Sequence, residues 1–186
     1  MDNLEDILDV LNNNGIILYP TDTIWGLGCR SDRQDAVEKI FNLKKREKSK
    51  PLSVLVSSLS MLHETVLDVH PRIETLLLYH TKPLTLIYKK AKNIQPPLAD
   101  QSGSLGVRLT SEPFCKKIID ALGVPLVSTS ANLSGNPYPK NFKEINMELI
   151  EKVDYVVKYR QTELTVSEPS VIAKFNKEGD LDFLRT

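Results

Sequence analysis

The sequence has little of what marks several large classes of protein. Cysteine occurs twice in 186 residues, as Cys29 and Cys115, and neither is spaced from another cysteine or a histidine as in a zinc site. No apolar run approaches the roughly 20 residues of a membrane-spanning helix. The acidic N-terminus does not resemble a secretory signal. We therefore expect a soluble cytoplasmic protein with two buried thiols, no metal-binding cluster and no membrane partner.

A net charge and the common nucleotide-binding signatures are also absent. Lysine plus arginine and aspartate plus glutamate number 24 each, which excludes the overall basicity of a protein that coats nucleic acid. There is no P-loop, and Gly26-Leu27-Gly28 lacks the third glycine of a dinucleotide fingerprint. The missing G-x-S-x-G elbow gives little support to a Ser-His-Asp hydrolase. Any anion or nucleotide must therefore be bound locally, by another kind of site.

Hydrophobic periodicity predicts alternating helices and strands. Helical spacing occurs at 4–11, 32–43, in two short segments within 58–79, at 114–122 and at 142–150. Strand-like runs occur at 16–19, 52–56, 84–88, 106–109, 125–128 and 155–157, and 171–175 and 181–184 predict a hairpin around 176–180. This order predicts a single α/β domain over residues 1–186, a twisted mixed sheet flanked by helices. The long segments 91–104 and 159–169 are candidate lids.

Residues 44–50 concentrate the positive charge of the chain. Five of these seven residues are lysine or arginine, directly before the apolar run 51–56. In an extended segment Lys44 and Arg46 would point to one face, where an ammonium group and a guanidinium fork could hold phosphate oxygens. A solvated basic helix end that complements the helix dipole is the alternative. The segment is therefore a candidate site for a polyanion.

Three other polar clusters follow predicted strands. Thr21 and Thr23 would project to one side of an extended chain, or would bond to nearby backbone in a turn. Residues 128–135 combine hydroxyl and amide side chains with a final glycine, which suits a phosphate or carboxylate but also a Ser/Thr-rich turn. Arg108 lies on a short apolar strand, where an unpaired buried guanidinium would be costly. Either an acidic ligand or an acidic side chain of the protein must therefore pair with it.

Five motifs in a fixed order carry a family resemblance. They are Tyr19-Pro20-Thr21-Asp22-Thr23-Ile24-Trp25-Gly26-Leu27-Gly28, Lys44-x-Arg46 with Lys50-Pro51-Leu52, Pro83-Leu84-Thr85, Gly106-Val107-Arg108, and Ser128-Thr129-Ser130-Ala131-Asn132-x-Ser134-Gly135. Taken together, they resemble the YrdC/Sua5 family, the threonylcarbamoyl-AMP synthases. The resemblance runs from about Ile16 to the C-terminus, and the chain length is similar to the short form. It implies a YrdC-like domain with a concave basic site.

The resemblance implies a nucleotidyltransferase reaction. L-threonine, bicarbonate and ATP would give L-threonylcarbamoyladenylate and pyrophosphate, for the threonylcarbamoyladenosine modification of tRNA. Mg²⁺ would be carried by the triphosphate, and no tightly bound prosthetic group is expected. The product would pass to a downstream threonylcarbamoyl-transferase machinery.

The resemblance also implies roles for individual residues. The catalytic set, at the ATP phosphates and the reacting phosphorus, is Lys44, Arg46, Ser130 and Asn132. The expected ATP-binding residues are Arg46, Lys50, Ser104, Ser130, Tyr138 and Arg185. The expected threonine-binding residues are Thr23, Arg108, Ser128 and Ser170, with the Arg108 guanidinium on the carboxylate.

Two other functions remain open from the sequence. One is a non-catalytic module that binds double-stranded RNA or tRNA, against which the zero net charge and the lack of aromatic residues among 44–50 argue. A weak RNA contact remains compatible with the enzyme. The other is a carbamoyl-transfer domain similar to the YrdC-like part of hydrogenase maturation factors, whose companion domains are missing here.

Overall fold

The first helix shows how local sequence sets element boundaries. The side chain of Asn3 accepts a hydrogen bond from the backbone N–H of Glu5 and so caps the helix that runs over Leu4–Asn12. Ile7 and Leu11, one turn apart, are completely buried. Just beyond the helix Asn14 has a φ of 60°, a left-handed conformation that asparagine tolerates better than most residues. The helix predicted over 4–11 is confirmed, and it extends to Asn12.

The computed structural model describes residues 2–175 and 180–186. The helices are α1 (Leu4–Asn12), α2 (Gln34–Leu43), α3 (Leu59–Thr65), α4 (Pro71–Tyr79), α5 (Pro113–Leu122) and α6 (Met147–Lys152), and Phe142–Glu144 is a 3-10 turn. The strands are β1 (Ile17–Tyr19), β2 (Gly26–Gly28), β3 (Ser53–Val56), β4 (Leu84–Tyr88), β5 (Leu105–Leu109), β6 (Leu126–Ser130), β7 (Tyr155–Val156), β8 (Val171–Phe175) and β9 (Leu181–Arg185).

The strands of the described residues form one mixed sheet. Their order is β7-β1-β2-β6-β3-β5-β4-β8-β9. The pairs β1/β7, β3/β5 and β4/β8 are parallel, and the remaining neighbours are antiparallel. Helices cover both faces: Ile17 and Tyr19 of β1 pack in a cluster with α1 and α5, while Leu18 packs in a cluster with α2, α3, α4 and α6. The predicted fold class, a mixed sheet flanked by helices, is confirmed.

Strand register brings distant polar residues to one place. Gly26 pairs with Ser130, which puts the turn before β2 beside the exit of β6. Arg108 of β5 pairs with Thr85 of β4, and Thr85 pairs in turn with Ile172 of β8. The polar ends of strands far apart in sequence therefore meet over one region of the sheet.

The sequence interpretation missed some elements. β2 was not predicted, because Gly-Leu-Gly has no alternating apolar pattern, although Leu27 is completely buried. A single helix over 142–150 is wrong, because the side chain of Asn146 accepts a hydrogen bond from the N–H of Glu148 and starts a new helix. β8 and β9 pair antiparallel as expected. Of the predicted hairpin turn, residues 176–179 lie outside the described residues.

Neither thiol is exposed, and the helices are short. Cys29 and Cys115 are both free and fully buried. Among residues 2–175 and 180–186, none of the helices combines the length and the apolar character needed to cross a membrane.

Candidate active site

A cavity of about 490 Å³ lies over the region where the strand ends meet. Its wall includes three arginines, Arg46, Arg108 and Arg185, whereas Asp100 is its one acidic residue within the part of the chain that the structure describes. The carboxylate of Asp100 already accepts hydrogen bonds from the N–H groups of Ser102 and Ser104. Positive side chains therefore outnumber negative ones on this wall, although the chain as a whole has no net charge.

Most of the predicted site residues line this cavity. They are Thr23, Arg46, Ser104, Arg108, Ser128, Ser130, Asn132, Tyr138, Ser170 and Arg185. Lys44 and Lys50 do not belong to the wall. The side chain of Lys50 is 63% exposed and pairs with Glu47 at 3.2 Å. Its carbonyl oxygen, however, accepts a hydrogen bond of 2.7 Å from Arg46 Nε, so the Lys50 backbone positions a cavity residue.

The chain is not extended between Lys44 and Arg46, so the predicted shared face is wrong. Lys44 is the αR residue that ends α2, and Lys45 has a φ of 50°. This turn sends the two side chains in different directions. Arg46 lines the cavity, where Nε and Nη2 donate to the carbonyls of Lys50 and Pro51. Burial lowers the pKa of the Arg46 guanidinium from its ordinary value.

Lys44 points into the protein beneath the exit of β6. Its ammonium group, on a residue 1% exposed, donates to the carbonyl oxygens of Ser130 and Asn132 and to Asn132 Oδ1. Its own carbonyl accepts a hydrogen bond of 2.9 Å from the N–H of Ser134. Burial, with the positive charge of Arg46, lowers the pKa of the Lys44 ammonium to about 7. Lys44 thus ties α2 to the turn that carries Ser130 and Asn132.

The turn after β6 is held by its own side chains as well. Ser130 Oγ donates to Asn132 Oδ1 at 2.5 Å, and Asn132 Nδ2 donates to the carbonyl of Asn136 at 2.6 Å. Ser130, Asn132 and Asn136 all line the cavity. The hydroxyl and amide groups are therefore fixed at its wall in a defined arrangement, which suits anion binding.

A chain of hydrogen bonds also orders the hydroxyls of the turn before β2. Arg108 Nη1 donates to Thr23 Oγ1 at 2.8 Å. Thr23 and Thr21 share a hydrogen bond of 2.9 Å, and Thr21 Oγ1 donates to the carbonyl of Ile24. Because the single hydroxyl proton of Thr21 is used on Ile24, Thr23 must donate to Thr21. Thr23 thus accepts from Arg108 and gives its proton to Thr21.

Ser170 and Arg185 line the cavity near the start of β4 and β8. Ser170 Oγ lies 2.8 Å from Thr85 Oγ1, and the Arg185 guanidinium donates twice to the Ser170 carbonyl, at 3.0 and 2.7 Å. Burial, together with the charge of Arg108, lowers the pKa of the Arg185 guanidinium. Arg108 and Arg185 therefore face the same cavity and are close enough for their charges to interact.

The family model for Sua5, YciO and YrdC proteins, which carries the description telomere recombination, matches residues 9–186. This chain belongs to that family. It is 34% identical over 156 residues to the threonylcarbamoyl-AMP synthase of Vibrio parahaemolyticus. The aligned region covers 82% of this chain and 84% of the relative. It is 33% identical over 144 residues to the threonylcarbamoyl-AMP synthase of Escherichia coli, which is 76% of each chain.

Solved structures share the fold of this Sua5/YciO/YrdC chain. P. abyssi Sua5 complexed with L-threonine has a TM-score of 0.84 and 23% identity, and the match covers 98% of this chain and 53% of that one. This chain therefore spans about half the length of that Sua5 chain. E. coli YciO has a TM-score of 0.83 and 23% identity, with 98% and 87% covered.

Several wall residues of this family member were not among the predicted site residues. They include Thr21, Trp25, Ser53, Thr85, Asp100 and Asn136. Thr21 and Thr85 lie inside motifs quoted for the resemblance, so those motifs could have indicated them. Asp100 and Asn136 lie in irregular segments, and no spacing signal pointed to them. The segment 91–104, a predicted lid, contributes Asp100 and Ser104 to the wall and packs Leu98, 1% exposed, into the core.

Proposed function

We propose that this chain is an L-threonylcarbamoyladenylate synthase, which makes threonylcarbamoyl-AMP and pyrophosphate from L-threonine, bicarbonate and ATP. The observation that carries the proposal is that one cavity is lined by Arg46, Ser130 and Asn132 together with Arg108 and Thr23. Relatives that match most of this chain are named threonylcarbamoyl-AMP synthase, which supports the same activity.

The proposed chemistry is an adenylyl transfer. The amine of L-threonine captures bicarbonate as a carbamate, with loss of water. A carbamate oxygen then attacks the α-phosphorus of ATP, the new P–O bond forms, and the bond to the β-phosphate oxygen breaks to release pyrophosphate. This transfer requires positioning and charge neutralisation more than a protein nucleophile. A cavity lined by arginine, hydroxyl and amide groups meets that requirement.

On this proposal, the nucleotide half of the site is built around the β6 exit. Arg46, Ser130 and Asn132 contact the phosphates, and Arg46 neutralises charge that develops on the reacting phosphorus. Ser104, Tyr138 and Arg185 complete the ATP contacts. Mg²⁺ enters with the triphosphate as part of the substrate. Lys44 and Lys50 act from outside the wall, because the Lys44 ammonium holds the Ser130 turn and the Lys50 carbonyl holds Arg46.

The threonine half uses the hydrogen-bonded end of the cavity. Arg108 holds the carboxylate of L-threonine, and three residues of the same cavity, Thr23, Ser128 and Ser170, supply hydroxyl groups for the remaining polar atoms. P. abyssi Sua5 was solved as a complex with L-threonine, which agrees with an amino-acid site in this fold. The adenylate would then pass in the cytoplasm to a threonylcarbamoyl-transferase that modifies tRNA, with at most a weak RNA contact by this chain.

The proposal is tested by the substrate requirement of pyrophosphate release. Purified protein with ATP and Mg²⁺ should release pyrophosphate only when both L-threonine and bicarbonate are present, and mass spectrometry should detect threonylcarbamoyl-AMP. Arg46→Ala should abolish release, whereas Arg72→Ala, on the exposed start of α4, should not. Release without threonine would point to another acceptor. A protein that only binds double-stranded RNA, the alternative that the relatives do not favour, would release none.

A further inference from the structure

The three arginines of the cavity differ in what neutralises them. Arg46 donates to the carbonyls of Lys50 and Pro51, and Arg185 donates to the carbonyl of Ser170. Among the ion pairs of the described residues, only Arg108 of these three has a carboxylate within 4.0 Å. That carboxylate belongs to Asp22, whose Oδ1 lies 3.3 Å from Arg108 Nη2. Within the described residues, Arg46 and Arg185 thus lack a carboxylate partner, whereas Arg108 has one.

Asp22 contacts Arg108 from outside the cavity wall. Its neighbours Thr21 and Thr23 line the cavity, but Asp22 does not. Its side chain is 7% exposed. The other carboxylate oxygen, Oδ2, accepts a hydrogen bond of 3.3 Å from the backbone N–H of Ser111. The loop after β5 therefore holds Asp22 in place against the guanidinium.

The pair with Asp22 leaves the Nε donor of the Arg108 guanidinium without a hydrogen-bond partner among the described residues. Arg108 Nε and Asp22 Oδ1 are both buried and make no hydrogen bond within the described residues, despite the short approach of Nη2. A two-pronged salt bridge would have used the donors of the guanidinium fork. The arrangement found here supplies negative charge without using up those donors.

We propose that Asp22 is a positioning and specificity residue, which orients Arg108 and cancels its charge so that this end of the cavity takes an amino-acid carboxylate and rejects phosphate. The inference rests on the proposed function and deepens it. A single carboxylate needs an oriented fork of donors, whereas a phosphate with two negative charges needs a surplus of positive charge. Asp22 would thereby prevent ATP or pyrophosphate from occupying the threonine end.

Asp22→Asn tests the idea, because it keeps the shape and removes the charge. Calorimetry measures the Kd of L-threonine for purified protein, alone and in the presence of inorganic phosphate. Glu112→Gln is the matched control. Glu112 also pairs with an arginine, Arg160, at 2.9 Å beside the same turn, but that arginine is not on the cavity wall.

We expect Asp22→Asn to raise the Kd of L-threonine on the order of tenfold. We also expect phosphate to compete with threonine in this variant but not in the wild type or in Glu112→Gln. Asp22→Glu, which restores the charge, should again exclude phosphate. This second variant keeps the test decisive if the asparagine variant does not fold.

Three results would overturn the inference. The first is an Asp22→Asn protein that binds threonine as the wild type does without phosphate competition. The second is an equal loss of threonine affinity in Asp22→Asn and Glu112→Gln, which would indicate a structural role alone. The third is phosphate competition in Asp22→Glu. A wild type that binds no threonine would instead contradict the proposed function, so the two failures are distinguishable.

Discussion

The Lys44 ammonium group binds both oxygens of Asn132, a residue 88 positions further along the chain. It donates to the carbonyl at 2.5 Å and approaches Oδ1 at 3.4 Å. The same ammonium donates to the Ser130 carbonyl. A protonated lysine has three donors, which match these three acceptors. Lys44 therefore fixes the polar turn of the cavity from within the core.

Lys44→Met should separate activity from stability. The substitution removes hydrogen bonds, which destabilises the fold, and removes a buried charge, which stabilises it. Because these effects oppose each other, the free energy of unfolding should change by less than about 2 kcal/mol at pH 7. Pyrophosphate release should fall on the order of 100-fold, because the Ser130 turn loses its anchor. Lys48→Met, at an exposed pair with Glu38, is the control and should keep its rate. A near-normal rate for Lys44→Met would contradict the positioning role.

The stability that depends on Lys44 should rise with pH. Its pKa is about 7 in the folded chain, against an ordinary value of 10.5. Below about pH 7 Lys44 is protonated in both the folded and the unfolded chain, so the cost of burying its charge is constant. Between pH 7 and pH 10.5 the unfolded chain binds more protons than the folded chain, so the free energy of unfolding increases with pH. The difference between wild type and Lys44→Met should grow by about 3 kcal/mol from pH 7 to pH 10 in urea unfolding. A difference that does not vary with pH would exclude a lowered pKa.

Arg108→Lys should weaken the binding of L-threonine without weakening that of ATP. A lysine keeps the charge but loses the fork of donors, including the hydrogen bond to Thr23. We expect the KM for L-threonine to rise by about 10- to 100-fold, with little change in the KM for ATP. Steady-state pyrophosphate release measures both constants. Arg72→Lys on α4 is the exposed control, and an equal rise in both KM values would argue against a threonine-specific contact.

Gly28→Ala should destabilise the sheet. A Cβ at Gly28 would lie 2.6 Å from Tyr19 Cε1 and 2.7 Å from the Val127 carbonyl oxygen. The overpacking should lower the free energy of unfolding by about 1–3 kcal/mol. Gly123→Ala is a useful comparison, because its Cβ meets open space but its φ is +66°. We expect the second variant to lose about 1 kcal/mol through backbone strain alone. Chemical denaturation would contradict the packing argument if Gly28→Ala were as stable as wild type.

Much of the fold could be predicted from local sequence patterns. The bounds of β4 were predicted to the residue at 84–88, and α5 was predicted to end before Gly123, which is left-handed with a φ of 66°. These elements have strong periodicity or a residue whose conformation is nearly unique. β2 was missed because its two glycines carry no periodic signal, and only pairing with β1 and β6 makes it a strand.

The site was only partly readable. The motif residues Thr23, Arg108, Ser130 and Asn132 were named from the sequence, and the fold brings all four to one cavity. The extended geometry expected for Lys44 and Arg46 failed, because the left-handed Lys45 turns the chain between them. Backbone conformation at a single residue cannot be derived from the charges that flank it.

The sequence by itself determined the family, the alternation of helices and strands, and the types of side chain available to the site. Only the tertiary structure decided that Lys44 faces the core while Arg46 faces the cavity, and that Asp22 contacts Arg108 from outside the cavity wall. The physical reason is that element type follows from local periodicity and capping. The direction and charge balance of a side chain depend on strand register and on partners about 85 residues away, as in the hydrogen bond between Arg108 and Thr23.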